Sequence, residues 1–332
     1  MNTFNTTNFP RRRALERLAV GAAAIAAPAL GRADAWPSRP IKLVVPSAAG
    51  GTPDLICRVL AAELGPAIGQ SIVIDNKPGA GGNIGMQEVF RAQGDGYTLG
   101  YGNVVTLAIN RHLYAKLPYD PDELTGVALI GTVQNALMVR NTLPVKTVQE
   151  LVAYARQNPG KLSMGSAGNG TTGHLGGELF KSLTGTFMTH VPYRGSPNAL
   201  NDLMAGTIDV MFDNLSSCGP HIRSQRVRAL GVSGARRSPY FPSLPTIQEA
   251  GVKGYETTAW GGIVGPKNLP KDITARLNAE INRILSIPAI REKYKDLAFE
   301  TMASTSNLIM TMAKLESTQW GDVIKRSGAR VD

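Results

Sequence analysis

A strand, a glycine-rich loop and a helix follow one another in this chain, and the same order then recurs. The apolar, β-branched run 41–45 predicts a buried strand of a parallel sheet. After the loop 47–51, apolar residues recur at helical spacing up to Leu64, with Pro53 in the first turn and Thr52 as the predicted cap. Repeated units of this kind predict an α/β fold built on parallel sheets.

The pattern runs through two blocks of sequence. In the first block, strands are predicted over 71–74 and 97–101, and the helix between them should turn Ile84, Val89 and Phe90 inward. The second block has predicted strands at 135–139, 162–165, 187–191, 208–212 and 228–232, predicted helices at 147–157 and 198–204, and a helix that ends near Phe180. An amphipathic helix is predicted over 273–285, before Pro288.

Two such blocks in 332 residues predict two lobes around a cleft, because single cores rarely grow beyond roughly 250–300 residues. We expect residues 36–138 to form the first lobe, residues 139–250 to form the second, and residues 251–332 to return to the first. Each lobe would be a mostly parallel sheet flanked by helices.

Residues 1–35 have the features of a cleavable export signal. A basic segment at 11–13 precedes an apolar, alanine-rich run at 18–30, and Ala33-Asp34-Ala35 resembles a cleavage site. The apolar run is shorter than the roughly 20 residues that span a bilayer. We therefore expect a periplasmic protein, cleaved near Ala35, that does not itself span the membrane. The arginines fit both general and twin-arginine export, so the route stays open.

The charge of the chain favours small anionic ligands over nucleic acid. The full chain has a net charge of +10, and removal of residues 1–35, which carry five Arg and two acidic residues, would leave +7. Basic residues cluster only at 223–228 and 236–237, without interleaved aromatic residues, so no nucleic-acid partner is expected. A mildly basic protein suits anionic ligands.

Two glycine-rich loops are the main candidates for a binding site. The first loop, residues 47–54, and the second loop, residues 166–174, each join the end of a predicted strand to the start of a helix. Free backbone N–H groups and the positive end of the helix dipole face such a loop, which can therefore hold a carboxylate or phosphate. Ligands of open α/β sheets lie at such strand ends.

The second loop also permits an enzymatic interpretation. Gly168, Gly170 and Gly173 match the spacing of a dinucleotide-binding fingerprint. About 20 residues further on, the chain has Tyr193-Arg194 in place of the acidic residue that binds a ribose. An exported NADP-binding oxidoreductase, with Arg194 at the 2′-phosphate, remains an alternative.

Other catalytic and metal-binding patterns are weak. Ser166, His174 and Asp213 could supply a hydrolytic triad, but no nucleophile-elbow spacing surrounds Ser166. The other three histidines have no metal-ligand spacing, and two cysteines cannot form a four-cysteine zinc site. We therefore expect no enzyme, no catalytic residue, no metal and no cofactor.

Further polar residues follow predicted strands. Asp213-Asn214 would either cap the next helix or accept a ligand ammonium or hydroxyl group, and Asn103 and Thr106 are similar candidates. Cys57 and Cys218 could form a disulfide in an oxidising compartment or remain two independent buried thiols.

Motifs along the whole of residues 36–332 resemble one known family. They are PSAAGGTPDLICR (46–58), VIDNKPGAGGNIG (73–85), DGYTL (95–99), AINRHLY (108–114), SAGNGTTGHLGGELF (166–180), HVPYRGS (190–196), DVMFDN (209–214) and LPTIQEAG (244–251). In this content and order, the chain resembles the periplasmic receptors of tripartite tricarboxylate transporters, often called Bug receptors.

The resemblance implies a two-lobed, type II-like periplasmic binding protein fold that closes over a small carboxylate: a di- or tricarboxylate, an acidic amino acid or an aromatic acid. Partners would be the membrane subunits of such a transporter or, alternatively, a signalling sensor, and we expect a monomer. The loop motifs and the strand-end residues together predict these ligand-binding residues: Ser47, Ala48, Gly50, Gly51, Thr52, Asp54, Asn103, Ala167, Asn169, Thr171, Thr172, His174 and Asp213. One departure is Ser47, where the family usually has an aromatic residue, and this leaves the size and polarity of the ligand open.

Overall fold

The computed structural model describes residues 1–3 and 36–327. The predicted export signal therefore lies outside the described residues, except for residues 1–3. Within the described ranges, no helix combines the length and the apolar character needed to cross a bilayer.

Two β-sheets form the framework of the protein. The strands are β1 (Ile41–Val45), β2 (Ile72–Asn76), β3 (Thr98–Asn103), β4 (Thr125–Val133), β5 (Asn135–Val139), β6 (Ser163–Ser166), β7 (Thr189–Pro192), β8 (Val210–Asn214), β9 (Arg228–Val232), β10 (Ala259–Gly265) and β11 (Glu300–Thr301). Among the described residues, six strands form the first sheet in the order β11-β4-β10-β3-β1-β2, and five form the second in the order β7-β6-β8-β5-β9.

Helices flank both sheets. They are α1 (Thr52–Ile68), α2 (Asn83–Arg91), α3 (Asn110–Leu113), α4 (Val148–Gln157), α5 (Thr172–Thr184), α6 (Ser196–Ala205), α7 (Leu215–Arg223), α8 (Lys271–Ser286), α9 (Pro288–Asp296) and α10 (Leu308–Ser327). The α/β class and the two-lobed architecture predicted from the sequence are confirmed.

Each sheet is mixed rather than mostly parallel, which corrects one part of the prediction. In the first sheet β1 pairs in parallel with β2 and β3, whereas β10 runs antiparallel to β3 and β4. In the second sheet β6 pairs in parallel with β7 and β8, whereas β5 runs antiparallel to β8 and β9. With β5 and β10 the chain enters each sheet from the other lobe, and both run against their neighbours; the short β11 also pairs antiparallel with β4.

The chain crosses between the sheets at different residues from those expected. Strand β4 ends at Val133 and β5 begins at Asn135, so the first crossing is at Gln134 and residues 135–138 pair in the second sheet. The return falls between the end of β9 and Ala259 at the start of β10. We propose these crossings as the lobe boundaries. Alternating hydrophobicity could not locate the first one, since β4 and β5 are nearly continuous and both buried.

One serine ties the two crossing segments together. The buried Ser233 hydroxyl accepts a hydrogen bond from Asn135 N (2.9 Å) and donates one to the Thr257 carbonyl (2.6 Å). The backbone of Ser233 also donates to the Asn135 carbonyl and accepts from Thr257 N, each at 2.9 Å. Both passages between the lobes are therefore held at a single point.

Helix α1 positions the first candidate loop. Gly51, not the predicted Thr52, caps its N-terminus, and Pro53 occupies the first turn as expected. Its last turn ends at Gly69, whose φ of 81° is a left-handed conformation that favours glycine. Cys57 on this helix is a buried free thiol, as is Cys218 on α7, which resolves the open alternative in favour of independent thiols.

Helix α2 differs from its predicted orientation. Val89 is fully buried and Phe90 partly so, but the Ile84 side chain is 53% exposed. Ile84 lies in the first turn of this helix, directly after the loop that follows β2.

Candidate functional site

A cavity of about 680 Å³ lies between the lobes, where the loops that follow the parallel strands meet. The first lobe contributes the loops after β1, β2 and β3, and the second lobe contributes those after β6, β7 and β8. The lining residues are Pro46, Ser47, Ala48, Thr52, Pro53, Pro78, Gly79, Ala80, Gly81, Gly82, Ile84, Asn103, Val105, Tyr114, Ala167, Gly168, Asn169, Thr171, Thr172, Gly173, Pro192, Tyr193, Arg194, Gly195, Ser196, Asp213 and Asn214. Because the carboxyl ends of parallel strands lie at the same edge of a sheet, the three loops of each lobe meet at that edge and face those of the other lobe.

Several helices begin at this cavity. Thr52, Thr172 and Ser196 are the first residues of α1, α5 and α6, and all three line it. The N-cap residues of α2 and α7, Gly82 and Asn214, line it as well. Because a helix N-terminus carries a partial positive charge, this convergence favours an anion.

In the first loop, the buried Asp54 holds the backbone in shape. Its carboxylate accepts hydrogen bonds from Gly50 N (2.9 Å), Asn76 Nδ2 (3.0 Å) and Arg58 Nε (3.0 Å), and it forms an ion pair with Arg58 Nη2 at 2.9 Å. Burial by itself raises the pKa of Asp54, but the hydrogen bonds from Arg58, Gly50 and Asn76 lower it below its ordinary value. Asp54 is therefore an anion that braces the loop from behind.

In the second loop, His174 has the equivalent role. Gly170 N donates to His174 Nδ1 (3.1 Å), just as Gly50 N donates to the residue four positions later in the first loop. The His174 ring stacks on His190, with centroids 3.9 Å apart, and His190 Nε2 hydrogen-bonds Ser166 Oγ at 2.7 Å. Both loops are thus fixed by a buried side chain on the helix that follows.

Several backbone N–H groups that line the cavity are left without an acceptor. Within the described residues, those of Ala48 and Thr52 have no hydrogen-bond partner in the first loop. In the second loop the same holds for four lining residues: Ala167, Asn169, Thr172 and Gly173. Each lobe therefore offers backbone donors suited to carboxylate oxygens.

A chain of hydroxyl groups crosses the cleft. Thr52 Oγ1 donates to Ser217 Oγ (3.3 Å), which donates to Asp213 Oδ2 (2.6 Å), and Ser196 Oγ donates to Asp213 Oδ1 (2.7 Å). Burial raises the pKa of Asp213 to about 6, although the two serine hydroxyls oppose the shift. Because Thr52 belongs to the first lobe and Ser217 to the second, the bond between them forms only when the lobes are close, whereas both bonds to Asp213 lie within the second lobe.

The histidine pair makes stability sensitive to acid. Burial, the neighbouring histidine and Lys181 lower the pKa of His174 to about 3, and burial and Lys181 lower that of His190 to about 4, from 6.5. Between these values the unfolded chain binds more protons, so the free energy of unfolding falls as the pH falls from 6.5. Between pH 6 and its ordinary pKa of 3.8, Asp213 raises the free energy of unfolding as the pH falls. This effect of one group only partly offsets the effect of the two histidines.

We expect the substitution His174→Asn to reduce this acid sensitivity, because asparagine keeps an acceptor near the Nδ1 position but does not titrate. The slope of the free energy of unfolding against pH, measured by urea denaturation between about pH 6.5 and 4, should fall towards zero, because the remaining effects of His190 and Asp213 oppose each other. The partly exposed His221 provides the control: burial and Arg226 lower its pKa only modestly, so His221→Asn should reduce the slope less than His174→Asn does. An unaltered slope in the His174 variant would contradict the assignment.

Nine of the predicted site residues line the cavity, and four do not. The nine are Ser47, Ala48, Thr52, Asn103, Ala167, Asn169, Thr171, Thr172 and Asp213. Asp54 and His174 lie behind the loops, and Gly50 and Gly51 belong to the first loop but do not line the cavity. Asn103 uses its side-chain oxygen to accept from Thr106 N (3.0 Å), so only its amide nitrogen is available to a ligand. Ligand binding by these residues stays a prediction.

Two further loops line the cavity that sequence reasoning left out. They are residues 78–82 after β2 and 192–196 after β7. Their position directly after predicted strands was the signal that could have found them, as it found the first and second loops. Among the described lining residues, Arg194 is the sole basic residue and Asp213 the sole acidic one.

The catalytic alternatives gain no support from the geometry. Ser166 pairs with His190 rather than His174, whose Nδ1 is already taken by Gly170 N, and Asp213 is bonded by two serines. No group of three or more His, Cys, Asp or Glu side chains within the described ranges could hold a metal ion.

Comparison with known proteins identifies the family. Residues 56–329 match the model of the tripartite tricarboxylate transporter family receptor, TctC. The chain is 39% identical, over 96% of its length and 94% of the relative, to the "UPF0065 protein in tcbD-tcbE intergenic region" of Pseudomonas sp. strain P51.

Solved structures agree. The chain is similar to R. palustris Rpa4515 with adipate, with a TM-score of 0.87 and 39% identity over 89% of this chain and 100% of that one. It is also similar to MatC from Rhodopseudomonas palustris with bound malate, with a TM-score of 0.82 and 32% identity over 87% of this chain and 100% of that one. With most of its length matched, the chain belongs to the receptor family of the tripartite tricarboxylate transporters.

Proposed function

We propose that this protein is an exported solute receptor that captures a small organic carboxylate between its lobes and presents it to the membrane subunits of a tripartite tricarboxylate transporter. The observation that carries the proposal is the pair of loops, one in each lobe, whose unpartnered backbone N–H groups line a shared cavity. Membership of a receptor family supports the role in transport and the periplasmic location.

Energetics favour carboxylate binding with closure of the cleft. A carboxylate must give up water to enter the cavity, and each charge-assisted hydrogen bond returns roughly 1.5–3 kcal/mol. The donors of the two lobes reach one ligand together only when the lobes are close. The ligand therefore stabilises the closed form, which the membrane subunits can distinguish from the open form.

The relatives support the same ligand chemistry. Rpa4515 was solved with adipate and MatC with malate, and both ligands are dicarboxylates. In this chain the carboxylate would lie against Ala48 and Thr52 on one side and Ala167 and Thr172 on the other, which are the predicted ligand-binding positions in the two loops.

We expect a carboxylate at about 100 times its dissociation constant to stabilise the protein by about 2.7 kcal/mol, which corresponds to a melting-temperature rise of roughly 4–5 °C. A thermal-shift screen of mono-, di- and tricarboxylates, followed by calorimetric titration, measures it. Protein isolated from the periplasmic fraction should begin at Trp36 by mass spectrometry. Stoichiometric binding of NADP, or turnover of a bound acid, would overturn the receptor assignment.

A further inference from the structure

The cavity wall supplied by the first lobe has no ionisable group other than a tyrosine hydroxyl. Among the described lining residues, the arginine and the aspartate both belong to the second lobe, whereas the segments after β2 and β3 contribute Ile84, Val105 and Tyr114. We name these three side chains the apolar wall. A compact tricarboxylate would meet one cation in the cavity, so burying three charges there would be costly.

Ile84 is the exposed member of the apolar wall, and it differs from the other exposed apolar side chains in lining the cavity. Of the large apolar side chains that are exposed within the described residues, which include Val73, Leu183, Phe187 and Leu315, Ile84 is the one that lines the cavity. Scattered exposed apolar residues need no explanation, but one placed inside a binding cavity is available to a ligand.

The neighbouring turn is shaped to leave room for Ile84. A Cβ atom at Gly79 would lie 2.8 Å from Ile84 Cδ1, and Gly79 has a φ of 116°, which favours glycine. The Ile84 side chain therefore covers a glycine in the loop after β2, at the edge of the cavity. Val105, which also lines the cavity, is almost completely buried, so the apolar wall combines a buried apolar side chain with an exposed one.

We propose that the apolar wall selects carboxylates with an apolar body, such as an aliphatic chain or an aromatic ring, over compact hydroxylated polyacids. The inference rests on the proposed function and assigns Ile84 as a specificity-determining residue. The carboxylate occupies the backbone donors of the first and second loops, and the carbon body lies on Ile84, Val105 and the Tyr114 ring. Burial of that body removes apolar surface from water, which gives binding a negative heat-capacity change.

The matched pair Ile84→Ser and Val73→Ser tests the proposal. The two side chains are 53% and 54% exposed, so neither change should affect folding, but Val73 does not line the cavity. Binding of adipate, benzoate, malate and citrate is measured by calorimetry at several temperatures. In the wild type, adipate and benzoate should bind more tightly than malate and citrate. Ile84→Ser should weaken adipate and benzoate binding about 10-fold and make the heat-capacity change less negative, while Val73→Ser stays within about 2-fold.

The outcomes separate this inference from the proposed function. If malate or citrate binds at least as tightly as adipate and benzoate, or if Ile84→Ser behaves like Val73→Ser, the apolar wall does not set specificity, although the protein remains a carboxylate receptor. If no carboxylate in a broad screen binds, the proposed function itself fails.

Discussion

Replacement of Asp54 by alanine is expected to abolish carboxylate binding and to lower the free energy of unfolding by about 3 kcal/mol. The change removes the acceptor of Gly50 N, one of the two acceptors of Asn76 Nδ2, and both the hydrogen bond and the ion pair with Arg58. Without this brace the first loop loses the conformation that directs the Ala48 and Thr52 amides into the cavity. Denaturant unfolding and calorimetric titration measure the two effects.

Glu63 provides a matched control on the same helix. It pairs with Lys293 at 2.9 Å, and both side chains are partly exposed, so Glu63→Ala should cost less than about 0.5 kcal/mol and leave affinity unchanged. Asp54→Asn keeps one acceptor oxygen and should fall between the two. If Asp54→Ala bound carboxylates with wild-type affinity, the first loop would not contribute to the site.

Substitution of Gly173 by alanine is expected to reduce affinity by at least about 100-fold and stability by about 2–3 kcal/mol. The added Cβ would lie 2.2 Å from the Phe212 carbonyl oxygen, which is backbone and cannot move aside alone. Either the start of α5 or the end of β8 must shift, and the cavity lining at Thr172 or Asp213 shifts with it.

Gly185, at the other end of α5, tests whether the effect is local to the site. A Cβ there meets nothing within 4 Å, and only its φ of 60° disfavours alanine. Gly185→Ala should therefore cost about 1 kcal/mol and leave affinity unchanged. Equal losses of affinity in the two variants would show that binding follows helix stability rather than loop geometry.

Much of the fold could be predicted from the sequence because local patterns determine it. Strands β1, β5 and β9 begin and end where their apolar runs do, and the glycine-rich segments fall between strand and helix as expected. The positions of the crossings could not be predicted in the same way, because strand pairing and strand direction depend on contacts between residues far apart in sequence.

The sequence predicted some of the loops that line the cavity, but not which of their side chains face it. Local sequence cannot tell whether a polar side chain in a loop faces a cavity or the backbone behind it, and for this reason Asp54 and His174 were placed among the ligand-binding candidates. The bond from Thr52 to Ser217 joins residues 165 positions apart, beyond the reach of motif spacing. Ile84 was expected to face inward but is exposed, because helical periodicity alone does not show which part of a helix the rest of the fold covers.

The attachment of both crossing segments to Ser233 has a consequence for the evolution of such receptors. The second lobe, from Asn135 to Thr257, is in effect an insertion whose two ends meet at one residue. Exchange of this segment between homologues requires only two compatible junctions, and it carries with it half of the cavity, including Arg194 and Asp213. A chimera made in this way would keep the first lobe of one receptor and take the second half of the binding cavity from another, so its ligand preference would change.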